Sequence, residues 1–188
     1  ITEVECIFPD IAGSSKGKIL PVQRFIKSIE DQSLKLADSV FGQTVSGKWV
    51  YESEVIDYVE EDLIMKPDFS TIRRIPWNKE PTAQIICDLH YADGRPSTLA
   101  PRQVLKKIIG LLDEEQLKAV VAPELEFYLC EQNLDPDLPL KTPIGKSGRR
   151  EKGSRVFGID AVNEFDDLTD DIYDYCEILK IGVDTLIH

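Results

Sequence analysis

Alternating apolar and polar positions open the chain and predict its first elements. Residues 3–9 (EVECIFP) alternate as in a half-buried strand. A turn over residues 10–17 follows, and residues 22–31 then carry apolar side chains at helical spacing. Residues 83–89 (AQIICDL) are almost continuously apolar, which is typical of a buried strand. We therefore expect an N-terminal unit that combines strands with helix.

A different pattern begins near Pro101, a residue that suits the first turn of a helix. Residues 119–130 (AVVAPELEFYLC) then predict a second buried strand. The change of pattern places a domain boundary at residues 97–101, between a domain of residues 1–100 and one of residues 101–188. The apolar stripe of the helix that begins at Pro101 is formed by Val104, Leu105, Ile108, Ile109 and Leu112.

The remaining part of the chain predicts a long loop followed by one helix and one strand. Residues 131–155 are polar and rich in proline, and a basic run closes them. Such a run either meets phosphate or simply lies in solvent. Asn163 is a candidate N-cap of a helix that would end at Gly182, and residues 183–187 would start a further strand.

Composition narrows the class of protein. The chain has 188 residues and a formal net charge of -12, which argues against non-specific binding to nucleic acid. No apolar run approaches the roughly 18 residues that cross a bilayer, and no signal peptide is recognisable, so we expect no membrane contact. The four cysteines are far apart, which favours buried, reduced thiols in a cytoplasmic protein. The first residue is Ile1 and not Met, so we expect a trimmed N-terminus.

Two carboxylates in the predicted strand of residues 119–130 are the main candidates for chemistry. Strand alternation would place Glu124 and Glu126 on one face, about 7 Å apart. Burying two like charges is costly without a cation. Because hard divalent ions such as Mg²⁺ and Mn²⁺ prefer oxygen ligands, a metal site is one solution. A half-exposed strand with a solvated polar face is the other.

The other candidate motifs give weaker evidence for a functional site than Glu124 and Glu126 do. The glycine-rich stretch of residues 13–18 (GSSKGK) has the wrong spacing for a phosphate-binding P-loop, so we interpret it as a turn. His90 follows a buried strand, and a structural role suits it better than a catalytic one. Trp49 is equally compatible with a core anchor and with the wall of a binding site.

Four segments, in order and at similar spacing, resemble the glutamine synthetase family. They are VECIFPDIAGSSKGKILP (4–21), CDLHYADGRPSTLAPRQVLKK (87–107), PELEFYL (123–129) and RVFGIDAVNEFDDLTDDIYDYCEILKIGVDTLIH (155–188). The γ-glutamylpolyamine synthetase branch is the most similar, notably in VVAPELEFYL and RVFGIDAVNEF. The segments are spread from residue 4 to residue 188, so the resemblance extends over nearly the whole chain.

The resemblance implies an α+β protein with a β-grasp-like N-terminal domain, followed by the truncated start of an α/β catalytic domain. Members of the family use ATP and Mg²⁺ or Mn²⁺ to phosphorylate the γ-carboxylate of glutamate, and an amine then displaces phosphate. Glu124 and Glu126 match two positions whose carboxylates bind different metal ions. Members form ring-shaped homo-oligomers, and the loop that contains Phe41, Gly42 and Trp49 would face the neighbouring subunit or the substrate.

Departures from the family pattern keep the function open in two respects. Gly42 aligns with an aspartate that helps bind ammonium in true glutamine synthetases, so the product would be glutamine or a γ-glutamyl-polyamine. Most of the sites for ATP, glutamate and metal would lie beyond His188, so we expect this chain alone to be an inactive fragment. The alternative is a non-catalytic relative that keeps the fold for assembly or binding.

Overall fold

A mixed sheet forms the centre of the first of two compact units, residues 1–120 and 121–188. The structure is a computed structural model and describes residues 1–50, 60–153 and 156–188. The strands described in the first unit are β1 (Glu3–Pro9), β2 (Ser15–Pro21), β3 (Lys35–Ala37), β4 (Asp62–Pro67), β5 (Arg73–Arg74) and β6 (Thr82–His90). Their order in space is β2-β1-β6-β4-β3, with β5 beside β6. The β1–β6 pair is parallel, and the other pairs are antiparallel.

The alternating pattern of β1 and β6 builds the core of this unit. Every second residue of β1 is buried, as its alternation predicted; in β6, which was predicted as a buried strand, every second residue from Ala83 onward is buried. Helix α1 (Val22–Glu30) adds Phe25 to this core, which confirms the helix predicted at residues 22–31. The buried side chains that the two strands contribute are Val4, Cys6, Phe8, Ile85, Cys87 and Leu89.

Gly17 allows β2 to approach β1 closely. It pairs with Ile7, and a Cβ atom at this position would lie 2.0 Å from the carbonyl oxygen of Cys6. No side chain can occupy that space, so glycine is required here. The GSSKGK stretch is therefore a turn and an edge strand, in agreement with its interpretation as a non-phosphate loop.

Helix α2 (Pro101–Glu114) follows the sheet, with Pro101 in its first turn as predicted. Its apolar stripe is largely exposed, with Val104, Leu105, Ile108 and Ile109 each 44% to 58% accessible. The division into compact units falls after Val120 and groups α2 with the sheet. The domain boundary at residues 97–101 remains a prediction from the sequence.

The second unit differs from the predicted strand–helix–strand pattern. Among its described residues, α3 (Ile159–Asn163) and α4 (Asp166–Leu179) are the helices, and neither 119–130 nor 183–187 forms a strand. A strand requires a paired neighbour, and alternation along a single segment cannot supply one. Asn163 was wrongly predicted as an N-cap: it ends α3, and Phe165 precedes α4.

The C-terminal end of α4 also differs from the prediction. The helix ends at Leu179, before the predicted Gly182, because Lys180 adopts a left-handed backbone with φ 59°. Such a conformation is a common helix stop. None of the helices in the described ranges is long and apolar enough to cross a membrane.

Candidate functional site

Glu124 and Glu126 lie in a segment that forms no helix or strand. Both side chains are exposed, and so are the apolar residues between and after them: Leu125 is 88% accessible and Phe127 60%. The burial cost that pointed to a cation is therefore absent in this structure. An exposed carboxylate pair is stable without any metal ion.

The described residues do not assemble a complete metal centre around this pair. Nowhere in residues 1–50, 60–153 and 156–188 do three or more His, Cys, Asp or Glu side chains converge in a way that could hold an ion. Mg²⁺ requires near-octahedral coordination by oxygen atoms. Glu124 and Glu126 supply the right kind of donor, but they do not supply enough of them.

The loop that contains Phe41, Gly42 and Trp49 combines a buried base with an exposed tip. Phe41 is 3% accessible and packs edge-on against Phe8, with ring centroids 6.0 Å apart. The carbonyl of Gly42 accepts a hydrogen bond of 2.7 Å from the N–H of Val50. Trp49 is 43% accessible, so it is not a core anchor. Residues 51–59, which follow this loop, lie outside the described residues.

A cluster of four charges joins α2 to the sheet, and sequence reasoning did not find it. Arg102 donates from Nε to Asp88 Oδ1 at 2.9 Å and from Nη2 to Asp68 Oδ2. Lys106, one turn later, donates to the other oxygen of Asp88. We call Asp68, Asp88, Arg102 and Lys106 the four-charge cluster. Asp88, the only charged residue within an otherwise apolar strand, was the signal that could have revealed it.

The electrostatics of this cluster favour the ionised form of Asp68. Hydrogen bonds from Ser70 lower the pKa of Asp68, and the positive charges of Arg102 and Lys106 add to this effect. The side chains of Arg102, Asp68 and Asp88 are only 22%, 23% and 14% accessible. The cluster is thus a partly buried network of paired charges that joins α2 to the sheet.

His90 lies two residues after Asp88, on the same face of β6. Burial lowers its pKa, and the nearby charge of Lys66 lowers it further. Its Nδ1 atom is buried and has no hydrogen-bond partner among the described residues. The lowered pKa favours a neutral imidazole, and the structural role expected from the sequence stays a prediction.

The basic loop is held by acidic side chains of its own unit. Lys146 pairs with Asp166, which raises the pKa of the lysine, and Arg150 pairs with Glu131 at 2.7 Å. The carboxylate of Glu164 accepts the N–H of Ser147 at 3.0 Å. These contacts favour the solvated-loop interpretation over a phosphate site. Residues 154–155, at the end of the basic run, lie outside the described residues.

Comparison with known proteins gives one consistent result. Residues 98–188 match the family described as "Glutamine synthetase, catalytic domain". The chain is 37% identical to a glutamine synthetase of Pyrococcus abyssi over 130 residues, which is 69% of this chain and 26% of that protein. It is 28% identical to γ-glutamylputrescine synthetase PuuA of Escherichia coli K12 over 183 residues, or 96% of this chain and 38% of PuuA.

The fold agrees with these relatives. A crystal structure described as a novel glutamine synthase homologue superposes with a TM-score of 0.70 at 12% identity. The alignment covers 100% of this chain and 40% of that one. This chain therefore spans well under half the length of the proteins it matches.

Proposed function

Because this chain belongs to the glutamine synthetase family, we propose that it is the N-terminal part of an ATP-dependent carboxylate–amine ligase. The whole enzyme would form a γ-glutamyl amide through γ-glutamyl phosphate. The observation that carries the proposal is the match of residues 98–188 to the catalytic domain, since that range contains Glu124 and Glu126.

The N-terminal sheet supports a β-grasp-like domain as the first part of this enzyme. Its β1–β2 hairpin is followed by α1, and β1 pairs in parallel with the late strand β6 in the middle of the sheet. This arrangement is the one expected of a β-grasp. We propose that the whole enzyme forms ring-shaped homo-oligomers. In them, this domain would have the same role as the corresponding domain of the longer relatives.

Glu124 and Glu126 are proposed ligands of Mg²⁺ or Mn²⁺ in the whole enzyme. When bound, such ions would neutralise the negative charge of ATP and of the transferred phosphoryl group. The residues described here lack a third converging ligand, so further oxygen donors and the sites for ATP and glutamate are proposed to come from other sequence. We expect this chain alone to be inactive and to bind Mg²⁺ weakly.

The acceptor amine is the finer question within this proposal. Gly42 offers no carboxylate at the position where the family resemblance expects an ammonium-binding aspartate. One of the relatives is named for putrescine and another for glutamine. We propose a primary amine or polyamine as the acceptor, with ammonium as the poorer substrate.

Phosphate release tests this function in a polypeptide of the relatives' length that contains this chain. The assay supplies ATP, Mg²⁺ and glutamate, with ammonium, isopropylamine or putrescine as acceptors. We expect glutamate-dependent turnover, and Glu124→Gln or Glu126→Gln should lower kcat at least about 100-fold, because metal-assisted charge stabilisation is lost. Glu114→Gln, on the exposed surface of α2, removes the same charge elsewhere and should leave kcat unchanged.

The same assay distinguishes the proposed ligase from a non-catalytic relative that keeps the fold for assembly or binding. The exposure of Glu124 and Glu126 and the absence of a third ligand in the described ranges favour this second candidate. It predicts no glutamate-dependent turnover with any amine, and Gln variants that behave as wild type. Measurable turnover by the 188-residue chain alone would contradict the proposal that the site needs further sequence.

A further inference from the structure

The two edge strands of the sheet, β2 and β3, approach each other closely. They stand at opposite ends of the strand order, yet the ammonium of Lys18 on β2 donates to the carbonyl of Lys35 on β3. The sheet is therefore strongly curled. A hollow of about 170 Å³ remains between its edges, lined by Phe8, Lys16, Gly17, Lys18, Leu36 and Val40. We call it the β2–β3 hollow.

The floor of this hollow is apolar and belongs to the core. Phe8 is 3% accessible, and Leu36 and Val40 are half-buried side chains that pack against the core residues. Such a surface attracts an apolar group of small size. The side chains of this floor have no hydrogen-bond donors, so Lys16 and Lys18 are the side chains of the lining that can meet a charged group.

The pairing register of β1 and β2 places Lys16 and Lys18 at the rim of the hollow. Lys16 pairs with Phe8 and Lys18 pairs with Cys6, and directly paired residues of an antiparallel ladder share one face. Both lysines therefore project from the core-facing side of an edge strand. Lys16 is half-buried beside the apolar surface, and Lys18 is exposed at its outer edge.

Within the described part of the chain, Asp10 is the carboxylate that pairs with these lysines. Its Oδ2 lies 3.8 Å from Lys16 Nζ, an ion pair that is too long for a hydrogen bond. Its other oxygen already accepts the N–H groups of Ala12 and Ser14 at 2.9 and 2.8 Å. An ammonium group has three donors, and among the described residues Lys18 uses one of them on the carbonyl of Lys35, so both lysines keep donors for an anion.

We propose that the β2–β3 hollow binds a small monocarboxylate with an apolar body, such as a short aliphatic or aromatic acid. The apolar part would lie against Phe8, Leu36 and Val40, and the carboxylate would meet the ammonium groups of Lys16 and Lys18. Charge-assisted hydrogen bonds to these groups would give preference over the neutral analogue. The site lies within residues 1–120 and uses none of the residues of the proposed ligase site.

Benzoate is a suitable probe, and benzamide is its uncharged match. A titration of the 15N-labelled 188-residue chain follows the amide signals of Gly17, Leu36 and Val40. We expect saturable shifts at these residues and at least about fivefold weaker binding of benzamide. Lys16→Met and Lys18→Met keep an apolar stem but remove the charge, and each should weaken benzoate about three- to tenfold.

Lys107→Met, which removes a lysine charge from exposed α2, is the matched control and should leave benzoate affinity unchanged. The spectra also show whether each variant keeps its fold. Equal affinity for benzamide, unchanged affinity in both rim variants, or shifts confined to residues outside the hollow would overturn the proposal. So would ligand-free shifts at these amides that grow with protein concentration, since a second copy would then occupy the hollow. Because this assay needs no turnover, its failure leaves the proposed ligase function untouched.

Discussion

Removal of Arg102 offers the sharpest test of how the first unit is held together. Its guanidinium bridges Asp88 on β6 and Asp68, which precedes a short 3-10 helix, so one side chain joins three elements. Arg102→Met retains much of the apolar stem and removes both hydrogen bonds. The change therefore isolates the charge interaction from packing.

The magnitude follows from burial and from the partners that remain. Exposed ion pairs contribute roughly 0.2–1 kcal/mol, whereas breaking a fully buried pair costs roughly 3–5 kcal/mol. Arg102 is 22% accessible, which lies between these limits. Asp88 keeps Lys106 and Asp68 keeps Ser70, so neither carboxylate is left bare. We expect a loss of about 2 kcal/mol in the free energy of unfolding, or about 30-fold in the equilibrium constant.

Tryptophan fluorescence during urea unfolding measures this loss in the right part of the chain. Both tryptophans, Trp49 and Trp77, lie in residues 1–120, so the signal reports the first unit. Arg102→Lys should retain about half of the stabilisation, because a single ammonium group cannot donate to both carboxylates as the planar guanidinium does. Arg95→Met removes the exposed pair with Asp93 and should shift the midpoint little. If Arg102→Met and Arg95→Met shift it equally, the four-charge cluster does not hold α2.

Two further predictions concern single positions. Gly17→Ala should lower the free energy of unfolding of the first unit by more than about 3 kcal/mol, because its Cβ would meet the Cys6 carbonyl. Gly110→Ala in α2, where the added Cβ meets open space, should be neutral or stabilising by up to about 1 kcal/mol. Equal urea midpoints for the two variants would contradict this prediction. His90 should titrate by proton NMR below the ordinary value of 6.5, since burial disfavours its charge. The imidazole of the unfolded chain then binds its proton more tightly than that of the folded chain. The free energy of unfolding should therefore fall as the pH drops from 6.5 towards the folded pKa of His90, and this fall should be smaller in His90→Asn.

Local periodicity was sufficient to predict the elements that fold against partners close in sequence or strongly apolar. β1, α1 and β6 each bury one face whose spacing is visible in the sequence, and Pro101 marked the start of α2, whose apolar stripe stays largely exposed. Residues 119–130 have the same alternation and form no strand, because a ladder also needs a neighbour. Alternation therefore predicts what a segment can become, and pairing decides whether it does.

Contacts between distant residues were beyond the reach of the same reasoning. Asp68 and Arg102 are separated by 34 residues, and Lys18 and Lys35 belong to opposite ends of the sheet. No local spacing encodes such meetings. The site residues Phe41 and Trp49 were found by resemblance, and the structure shows that one is buried in the core while the other is exposed. Their proximity in sequence did not predict this difference.

The carboxylates Glu124 and Glu126 connect these observations to function. In the sequence, the cost of burying two like charges pointed to a cation. In the described structure both are exposed, so that cost is absent and no cation is needed. The cost returns only when the side of the segment that carries both carboxylates becomes covered, because water is then removed from them. We therefore expect burial of that side and affinity for a divalent ion to be linked, since a covered state without the remaining oxygen ligands would leave two like charges uncompensated.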